Sequence, residues 1–169
     1  MSYKKEFKIA VIPNALTTKM CNQLVKKHTK SLTPAMFWSD GVRTLNRDVR
    51  DCFNYKFRNE ILTAQTQKII SENFDLNIHS QKIEDQELVC YPPGNGSERH
   101  FDGDHRSYSI VYFLNSEYEG GELTFDTGES FHGLTLGTAV AWENSQDSFH
   151  SCQPILKGFK WIVVNWVLK

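Results

Sequence analysis

The feature that most constrains the fold is a change in hydrophobic periodicity near residue 84. From there onward, short segments of alternating apolar and polar residues are separated by turn residues, including the prolines and glycines of 92–96 and the glycine pair at 120–121. Alternation with a period of two is typical of strands with one buried face, and short strands at this spacing are typical of a sandwich or barrel. This half of the chain therefore predicts a jelly-roll. The predicted strands cover residues 87–91, 108–114, a segment after 121, 129–132, 139–143, 148–153 and 160–168.

The first half of the chain predicts two helices. One covers about 17–30, with Asn14 or Thr17 as its N-cap, and the other covers about 57–74. In both segments the apolar residues recur at helical spacing and form a single stripe. A short strand is predicted at 7–11, ahead of the first helix. The fold class is therefore α+β, with a jelly-roll (double-stranded β-helix) core braced by two N-terminal helices.

The length and charge of the chain fit one globular domain. Its 169 residues suffice for a single core but hardly for two. We therefore expect a single domain over 1–169, with a helical support region at 1–83 and the jelly-roll core at 84–169. Nineteen basic and twenty acidic residues leave a formal charge of -1. This balance provides no long-range field that would attract nucleic acid or an anionic membrane, so we expect neither as a partner.

The cellular setting is predicted from three negative observations. No apolar run is long enough to span a bilayer, and the N-terminus has no apolar stretch of the kind found in secretory signals. The four cysteines are far apart and form no CxxC pair, which argues against a structural zinc site and a disulfide framework. We expect reduced thiols, mostly in the core, and a cytoplasmic location.

A candidate metal site begins at the tripeptide His100-Phe101-Asp102, directly after the glycine-rich turn. On an extended strand, residues i and i+2 face the same side at a separation of roughly 6.5–7 Å. His100 and Asp102 can therefore converge on one ion. A further imidazole would complete the two-histidine, one-carboxylate triad of non-haem iron oxygenases, and His150 on a late strand is the candidate. The tripeptide alone is a weak signal, because it also occurs by chance.

Lys160 strengthens this hypothesis. It follows His150 by ten residues and lies on a predicted strand whose neighbouring positions are apolar. An unpaired buried charge is costly, so a lysine in this setting needs an anionic partner. If the protein supplies no anion, a dicarboxylate cosubstrate can do so. The competing interpretation is a lysine whose amine reaches solvent at one end of the barrel.

The remaining histidines are expected to lie outside the metal site. His28 and His79 fall in or beside helical segments, and His105 would face away from His100 if the strand continued. His132 is expected to be a partly buried strand residue.

Several segments together resemble the 2-oxoglutarate/iron(II) oxygenase superfamily and, within it, the prolyl 4-hydroxylases. The resemblance covers about 83–168, whereas the N-terminal half is similar only in layout. The order of HxD, distal histidine and basic residue ten positions later, all on predicted strands, is a specific combination. The matching segments are LVCYPPGNGSERHFD (88–102), SIVYFLN (109–115), EGGEL (119–123) and FHSCQPILKGFKW (149–161).

The resemblance implies roles for individual residues. His100, Asp102 and His150 match the iron ligands. Lys160 matches the residue that pairs with the distal carboxylate of 2-oxoglutarate, and Tyr91 matches a tyrosine that lines the cosubstrate and substrate pocket. The implied cofactors are iron(II), 2-oxoglutarate and O₂, with ascorbate as a further candidate.

The resemblance also implies substrate contacts, and here the chain departs from the family in places. Arg106 matches an arginine that contacts the peptide, and Trp166 matches a tryptophan beside the target proline. Phe113 stands where relatives often carry a tyrosine whose hydroxyl helps to hold the cosubstrate. Leu123 replaces the threonine of the collagen-type turn. The stretch 103–107 is short, so the loop that would cover a substrate is reduced.

The expected function is hydroxylation of a prolyl residue in a peptide or protein, coupled to conversion of 2-oxoglutarate to succinate and CO₂. One alternative is the same chemistry on a free amino acid, another side chain or a nucleobase; the lack of a basic strip disfavours the last. The other alternative is a cupin-type metal-binding protein without turnover. The cupin arrangement, two histidines one residue apart followed by a glutamate, is absent from the sequence.

Overall fold

A computed structural model describes residues 7–39, 42–45, 52–74 and 81–169. Its helices are α1 (Thr18–His28), followed by a short 3₁₀ turn at Thr29–Ser31, and α2 (Glu60–Phe74). Its strands are β1 (Ile9–Ile12), β2 (Thr33–Pro34), β3 (Phe37–Ser39), β4 (Val42–Thr44), β5 (Phe53–Phe57), β6 (Gln86–Tyr91), β7 (Ser97–His100), β8 (Arg106–Phe113), β9 (Tyr118–Gly120), β10 (Leu123–Phe125), β11 (Ser130–Phe131), β12 (Ala139–Glu143), β13 (His150–Cys152), β14 (Ile155–Gly158) and β15 (Lys160–Leu168).

Two antiparallel sheets form the core of the fold. The larger sheet has the strand order β1-β12-β8-β15-β6-β5-β2, and the smaller has the order β11-β10-β13-β7. Strands from distant parts of the chain are neighbours in both sheets, as in a jelly-roll. The small β9–β14 ribbon and the β3–β4 hairpin complete the pairing. A mixed architecture of two helices and antiparallel sheets is therefore confirmed.

Each face of the larger sheet packs into its own apolar cluster. Along β15, Val163 and Val167 join the cluster that includes α1 and α2, whereas Ile162, Val164 and Trp166 join the cluster between the two sheets. This alternation follows from the period of two in a strand. The helices thus brace one face of the larger sheet, as predicted, and the opposite face is left to form a cavity with the smaller sheet.

A buried polar cluster fixes α2 on the sheet. The Thr66 hydroxyl donates to Asn165 Oδ1 (2.9 Å) and lies 2.8 Å from the hydroxyl of Tyr112. Gln86 Nε2 donates to Thr63 Oγ1 (3.1 Å) and to Asn165 Oδ1 (3.3 Å). These hydrogen bonds satisfy polar groups that would otherwise be costly to bury. They therefore fix the position of α2 on the sheet and also stabilise it there.

The helix starts show where local patterns succeed and fail. Thr17 caps α1 as predicted, because its Oγ1 accepts from the backbone N–H of Met20. The second helix begins at Glu60, so the prediction that it began near residue 57 was wrong. Phe57 belongs to β5, where it pairs with Gln86. Asn59 instead caps α2, since its Oδ1 accepts from the N–H groups of the first turn.

The region before residue 84 contains more strands than the sequence predicted. The strand at 7–11 is confirmed as β1, but β2 to β5 were not predicted. Of these, β2 and β5 extend the larger sheet. The label of a helical support region is therefore too simple. Among the described residues, no helix is both long and apolar enough to cross a membrane.

The cysteines are free and buried, as predicted. All four, Cys21, Cys52, Cys90 and Cys152, lie in the described part of the chain and form no disulfide. Burial raises the pKa of the Cys90 thiol to about 12, with a smaller contribution from Cys52. Burial also raises the pKa of the Cys21 and Cys152 thiols.

We expect the native protein to resist thiol reagents at pH 8. A pKa of about 12 against an ordinary value of about 8.5 lowers the thiolate fraction of Cys90 by roughly a thousandfold. Stopped-flow absorbance with a disulfide reagent should therefore show no fast phase, whereas all four thiols should react at once in guanidinium chloride. A thiol that reacts in the native state at the rate of free cysteine would contradict this prediction.

Candidate metal and cosubstrate site

Pairing between β7 and β13 brings two of the three predicted ligands together. His100, the last residue of β7, is directly opposite His150, the first residue of β13, and their ring centroids are 4.4 Å apart. Asp102 follows β7 by two residues. Its Oδ1 lies 3.9 Å from His100 Nε2 and its Oδ2 lies 4.0 Å from His150 Nε2. One ligand atom from each residue therefore falls within 4.8 Å of the others.

Backbone carbonyls fix the orientation of both imidazoles. His100 Nδ1 lies 2.7 Å from the carbonyl oxygen of Glu98, and His150 Nδ1 lies 2.9 Å from that of Ser148. A carbonyl oxygen can only accept, so Nδ1 carries the proton in each ring and donates it. The Nε2 atom then carries the lone pair in each ring, and it is the ring nitrogen near Asp102. Metal-binding histidines are commonly oriented in this way.

The environment of Asp102 favours its ionised form. Its side chain is only 8% exposed, and burial by itself raises the pKa of the carboxyl. The neighbouring His150 and His100, the hydrogen bond from Ser109 and the charge of Arg106 outweigh burial and hold that pKa below its usual value. The residue thus presents a carboxylate to the space between the two imidazoles.

Two imidazoles and one carboxylate that converge from one side match the donor set that holds non-haem iron(II) with coordination positions left open. The residues present therefore fit the ion that the resemblance implies. His150 is buried, whereas the side chain of His100 is 44% exposed. Access to the ion would therefore be from the His100 side.

The triad lies in a cavity of about 590 Å³ between the two sheets, a size typical of small-molecule sites. The cavity brings together every residue that the sequence singled out as a ligand, cosubstrate or substrate contact. These are Tyr91, His100, Asp102, Arg106, His150, Lys160 and Trp166.

Lys160 is buried in the wall of this cavity. The residue is 2% exposed. Its Nζ donates to the carbonyl oxygen of Gly121 (2.6 Å) and to Cys152 Sγ (3.4 Å), and it lies 5.2 Å from the ring centroid of Phe113. The ion pairs found between described residues include none to Lys160. A cationic group with only neutral partners at this depth is the environment expected for a binding partner of an anion.

Arg106 and Trp166 form one unit at the other end of β15. The guanidinium carbon of Arg106 lies 3.8 Å from the ring centroid of Trp166. Arg106 also forms a two-point ion pair with Glu84, through Nε at 2.7 Å and Nη2 at 3.0 Å. Its Nη1 donates to the main-chain carbonyl of Asp102 (3.0 Å). The arginine is thus held in place beside a predicted metal ligand, and one face of the indole is covered.

Comparison of the sequence with known proteins finds a matching family and a relative. A model of the 2OG-Fe(II) oxygenase superfamily matches residues 86–168. A PKHD-type hydroxylase of Picosynechococcus is 29% identical over 173 residues, which cover 92% of this chain and 76% of the relative. Residues 86–168 therefore belong to the 2-oxoglutarate/iron(II) oxygenase superfamily.

Solved structures confirm the double-stranded β-helix fold of this oxygenase. A viral collagen prolyl hydroxylase from Paramecium bursaria Chlorella virus-1, in complex with 2-oxoglutarate, has a TM-score of 0.76 at 19% identity, and the match covers 94% of each chain. A Pseudomonas putida prolyl-4-hydroxylase has a TM-score of 0.76 at 17% identity over 96% of this chain and 94% of that one. A Trichoplax adhaerens prolyl hydroxylase, in complex with a hypoxia-inducible factor peptide, has a TM-score of 0.77 at 18% identity over 95% and 83%.

The other histidines within the described residues are not part of the triad. His28 is buried in the helix-side core and stacks on Phe57. The His105 side chain is 66% exposed. The prediction that His132 is a partly buried strand residue was wrong, because it is exposed and follows the end of β11. His79 lies outside the described residues.

Sequence reasoning missed the partners that surround Asp102. Ser109 donates to the Asp102 carboxylate, and Asn144 donates to Ser109. Glu84 pairs with Arg106, which in turn donates to the main-chain carbonyl of Asp102. Ser109 carried one usable signal: on β8 it shares the pocket-facing parity of Val111 and Phe113, and it is a polar residue at an apolar position. Nothing local marks Asn144 or Glu84, since each acts across a long sequence separation.

Proposed function

We propose that this oxygenase hydroxylates a prolyl residue in a peptide or protein and converts 2-oxoglutarate to succinate and CO₂. The observation that carries the proposal is the joint presence, in one cavity, of the His100, Asp102 and His150 donor set and a buried Lys160 without an acidic partner among the described residues. We also propose that 1–169 forms a single oxygenase domain, because the larger sheet takes strands from both halves of the chain.

In this proposal His100, Asp102 and His150 hold iron(II) through Nε2, a carboxylate oxygen and Nε2. When bound together, iron and 2-oxoglutarate supply the activation of O₂ and the insertion of oxygen into a C–H bond. The residues of this chain bind, orient and exclude water. The carbonyls of Glu98 and Ser148 keep the imidazoles in the tautomer whose Nε2 carries the lone pair.

Lys160 and Tyr91 are proposed to hold the cosubstrate. The two residues are directly opposite each other in the β15–β6 pair, and Lys160 Nζ lies 6.0 Å from the Tyr91 ring centroid. A dicarboxylate whose distal end met Lys160 would find an ammonium shielded from water, where an ion pair is stronger than at the surface. Phe113 supplies a ring and no hydroxyl here, so the lysine would be the main polar contact.

The Arg106–Trp166 unit is proposed to border the peptide. Both residues line the cavity at the end remote from Lys160, because Lys160 and Trp166 share parity and are separated by about 20 Å along β15 at the usual rise per residue. The ring edge and remaining face of an indole suit a pyrrolidine ring. The Trichoplax prolyl hydroxylase was solved in complex with a peptide. Because the present chain has the same fold, this supports a peptide substrate for it as well.

The direct test is an assay with a panel of peptides. The iron-loaded protein, 2-oxoglutarate and proline-containing peptides are incubated with and without ascorbate, and succinate and a 16-dalton gain on the peptide are measured by mass spectrometry. We expect both signals together. With matched peptides that carry alanine in place of the proline, we expect no 16-dalton gain and only the slower formation of succinate that needs no peptide. Hydroxylation of a free amino acid, with no proline peptide ever modified, would favour the small-molecule alternative and end the prolyl proposal.

We predict that Trp166→Ala and Arg106→Ala each lower the rate of peptide hydroxylation at least tenfold, a change of about 1.4 kcal/mol. Both should keep the slower turnover of 2-oxoglutarate without peptide, since neither residue belongs to the triad. Arg58→Ala is the matched control, because Arg58 also pairs with a glutamate and donates to a main-chain carbonyl, but lies outside the cavity lining. Parent-like hydroxylation by both cavity variants would refute these substrate contacts.

A further inference from the structure

A chain of hydrogen bonds runs from Asp102 through Ser109 to Asn144, behind the predicted ligands. Ser109 Oγ donates to Asp102 Oδ2 (2.5 Å) and accepts from Asn144 Nδ2 (2.8 Å). Ser148 lies beside this chain, with its Oγ 3.5 Å from Asn144 Oδ1, but its hydroxyl donates to the nearer carbonyl of Ser145 (2.8 Å). The main-chain carbonyl of Ser148 accepts from His150 Nδ1 (2.9 Å). Ser109 and Asn144 thus form a hydrogen-bonded support for Asp102, and Ser148, next to it, supports His150.

The support is buried and anchored in the backbone. Ser109 and Ser148 are fully buried, and Asn144 is nearly so. The backbone N–H of Asn144 donates to the carbonyl of Ser107 (2.8 Å), which holds it beside β8. The hydroxyl and N–H of Ser148 both bond to Ser145, within a tight turn between β12 and β13. Buried polar groups whose bonds are all made give a rigid, well-specified arrangement.

The hydrogen bond from Ser109 distinguishes the two carboxylate oxygens of Asp102. Oδ2 is occupied by the hydroxyl, whereas no hydrogen bond to Oδ1 is found from the described residues. We propose that Ser109 is a positioning residue that orients the Asp102 carboxylate for the metal, and that Asn144 acts through it by directing its hydroxyl. This inference rests on the proposed function, because it takes the triad to bind iron.

The role of Asn144 follows from the chemistry of a hydroxyl group. A serine has one proton to donate and two lone pairs. When the Asn144 amide donates to Ser109 Oγ, it occupies a lone pair and leaves the proton to point at Asp102. Without that donor the hydroxyl is free to rotate, and a partner that orients a ligand from outside commonly contributes tenfold to a hundredfold in metal affinity.

Titration of the metal-free protein with Mn²⁺ tests the proposal without cosubstrate or peptide. Free Mn²⁺ is followed by electron paramagnetic resonance. Ser109→Ala should raise the dissociation constant by about 10–100-fold, whereas Ser109→Thr, which keeps the hydroxyl, should stay within about threefold of the parent. Ser107→Ala is the matched control on the same strand, since the Ser107 hydroxyl bonds to the carbonyls of Val167 and Leu168 instead of Asp102.

A double-mutant cycle separates a relay from two independent effects. Asn144→Ala alone should weaken Mn²⁺ several-fold, but in the Ser109→Ala background it should add almost nothing, because the group through which it acts is gone. Equal weakening in both backgrounds would overturn the relay. If Ser109→Ala failed to fold by circular dichroism, Asn144→Ala would decide alone, and parent-like affinity in it would overturn the proposal.

The outcomes distinguish this inference from the proposed function. A parent protein that binds no Mn²⁺ refutes both, because the triad would then not be a metal site. A parent that binds Mn²⁺ while Ser109→Ala binds it equally well refutes only the positioning role. Failure to hydroxylate any proline peptide, with the Mn²⁺ results as expected, refutes only the prolyl substrate.

Discussion

Iron(II) binding is expected to collapse in the Asp102→Ala variant, and 2-oxoglutarate turnover should disappear with it. The carboxylate supplies the only negative charge of the proposed donor set, and two neutral imidazoles cannot hold a labile divalent ion against water. Loss of an outer partner of a ligand costs about 10–100-fold in metal affinity, so loss of the ligand itself should exceed that range. Calorimetric or fluorescence titration under anaerobic conditions measures the affinity, and succinate formation measures the turnover.

The control for this prediction lies two residues away. Asp104 has the same side chain but is exposed and is not part of the triad, so Asp104→Ala should bind iron as the parent does. The Asp102→Ala protein should remain folded, because Asp102 lines the cavity and belongs to neither apolar core cluster, and circular dichroism checks this. Succinate formation at the parent rate by Asp102→Ala would end the assignment of the triad.

The sequence predicted β12 and β15 with correct ends because their signal is local. β15 is a long run of β-branched and aromatic residues that alternates between two buried clusters. The start of α2 was not predictable in the same way. The apolar stripe of the helix can be continued back to Phe57, and only the pairing of β5 with β6, some 30 residues away, makes that segment a strand.

For the candidate site, too, the sequence predicted what depends on local order and missed what depends on strand pairing. Order and spacing along the chain suggested His100, Asp102, His150 and Lys160, and the structure brings all four into one cavity. Their orientation was out of reach, since it depends on which strands pair. The ring of His100 faces that of His150 because β7 adds to β13.

Arg106 shows how a contact across the fold can fix a side chain. Nothing in the sequence indicates that this residue is held in place, but its side chain is only 16% exposed and is ion-paired with Glu84. The two residues are 22 positions apart, and no local pattern pairs them. The main chain of Glu84 is itself fixed by bonds with Trp166 and Asn165. The arginine beside the proposed metal site is thus positioned by the end of β15.

Lys160→Met is expected to weaken 2-oxoglutarate binding by at least about a hundredfold while iron affinity hardly moves. Loss of the partner of a buried carboxylate costs on the order of 3–5 kcal/mol, and methionine fills the space of the lysine stem without its charge. Truncation to alanine should show the same selectivity, with some additional loss of stability from the cavity it leaves. Lys160 donates to Gly121 and Cys152, and no hydrogen bond or ion pair is found between it and the triad, so the metal affinity should not change.

Lys157 provides the matched control for Lys160, three residues earlier on β14, the preceding strand along the chain. It is exposed and forms a surface ion pair with Glu119 at 3.3 Å, a kind of contact that contributes little, so Lys157→Met should leave both affinities unchanged. Titration of the metal-loaded protein with 2-oxoglutarate, and of the metal-free protein with Mn²⁺, separates the two effects. If cosubstrate and metal affinities fall together in Lys160→Met, the lysine supports the cavity wall and binds no cosubstrate. If only the cosubstrate affinity falls, the buried ammonium is the anchor of the distal carboxylate, because no other change in the variant selects a dicarboxylate over a metal ion.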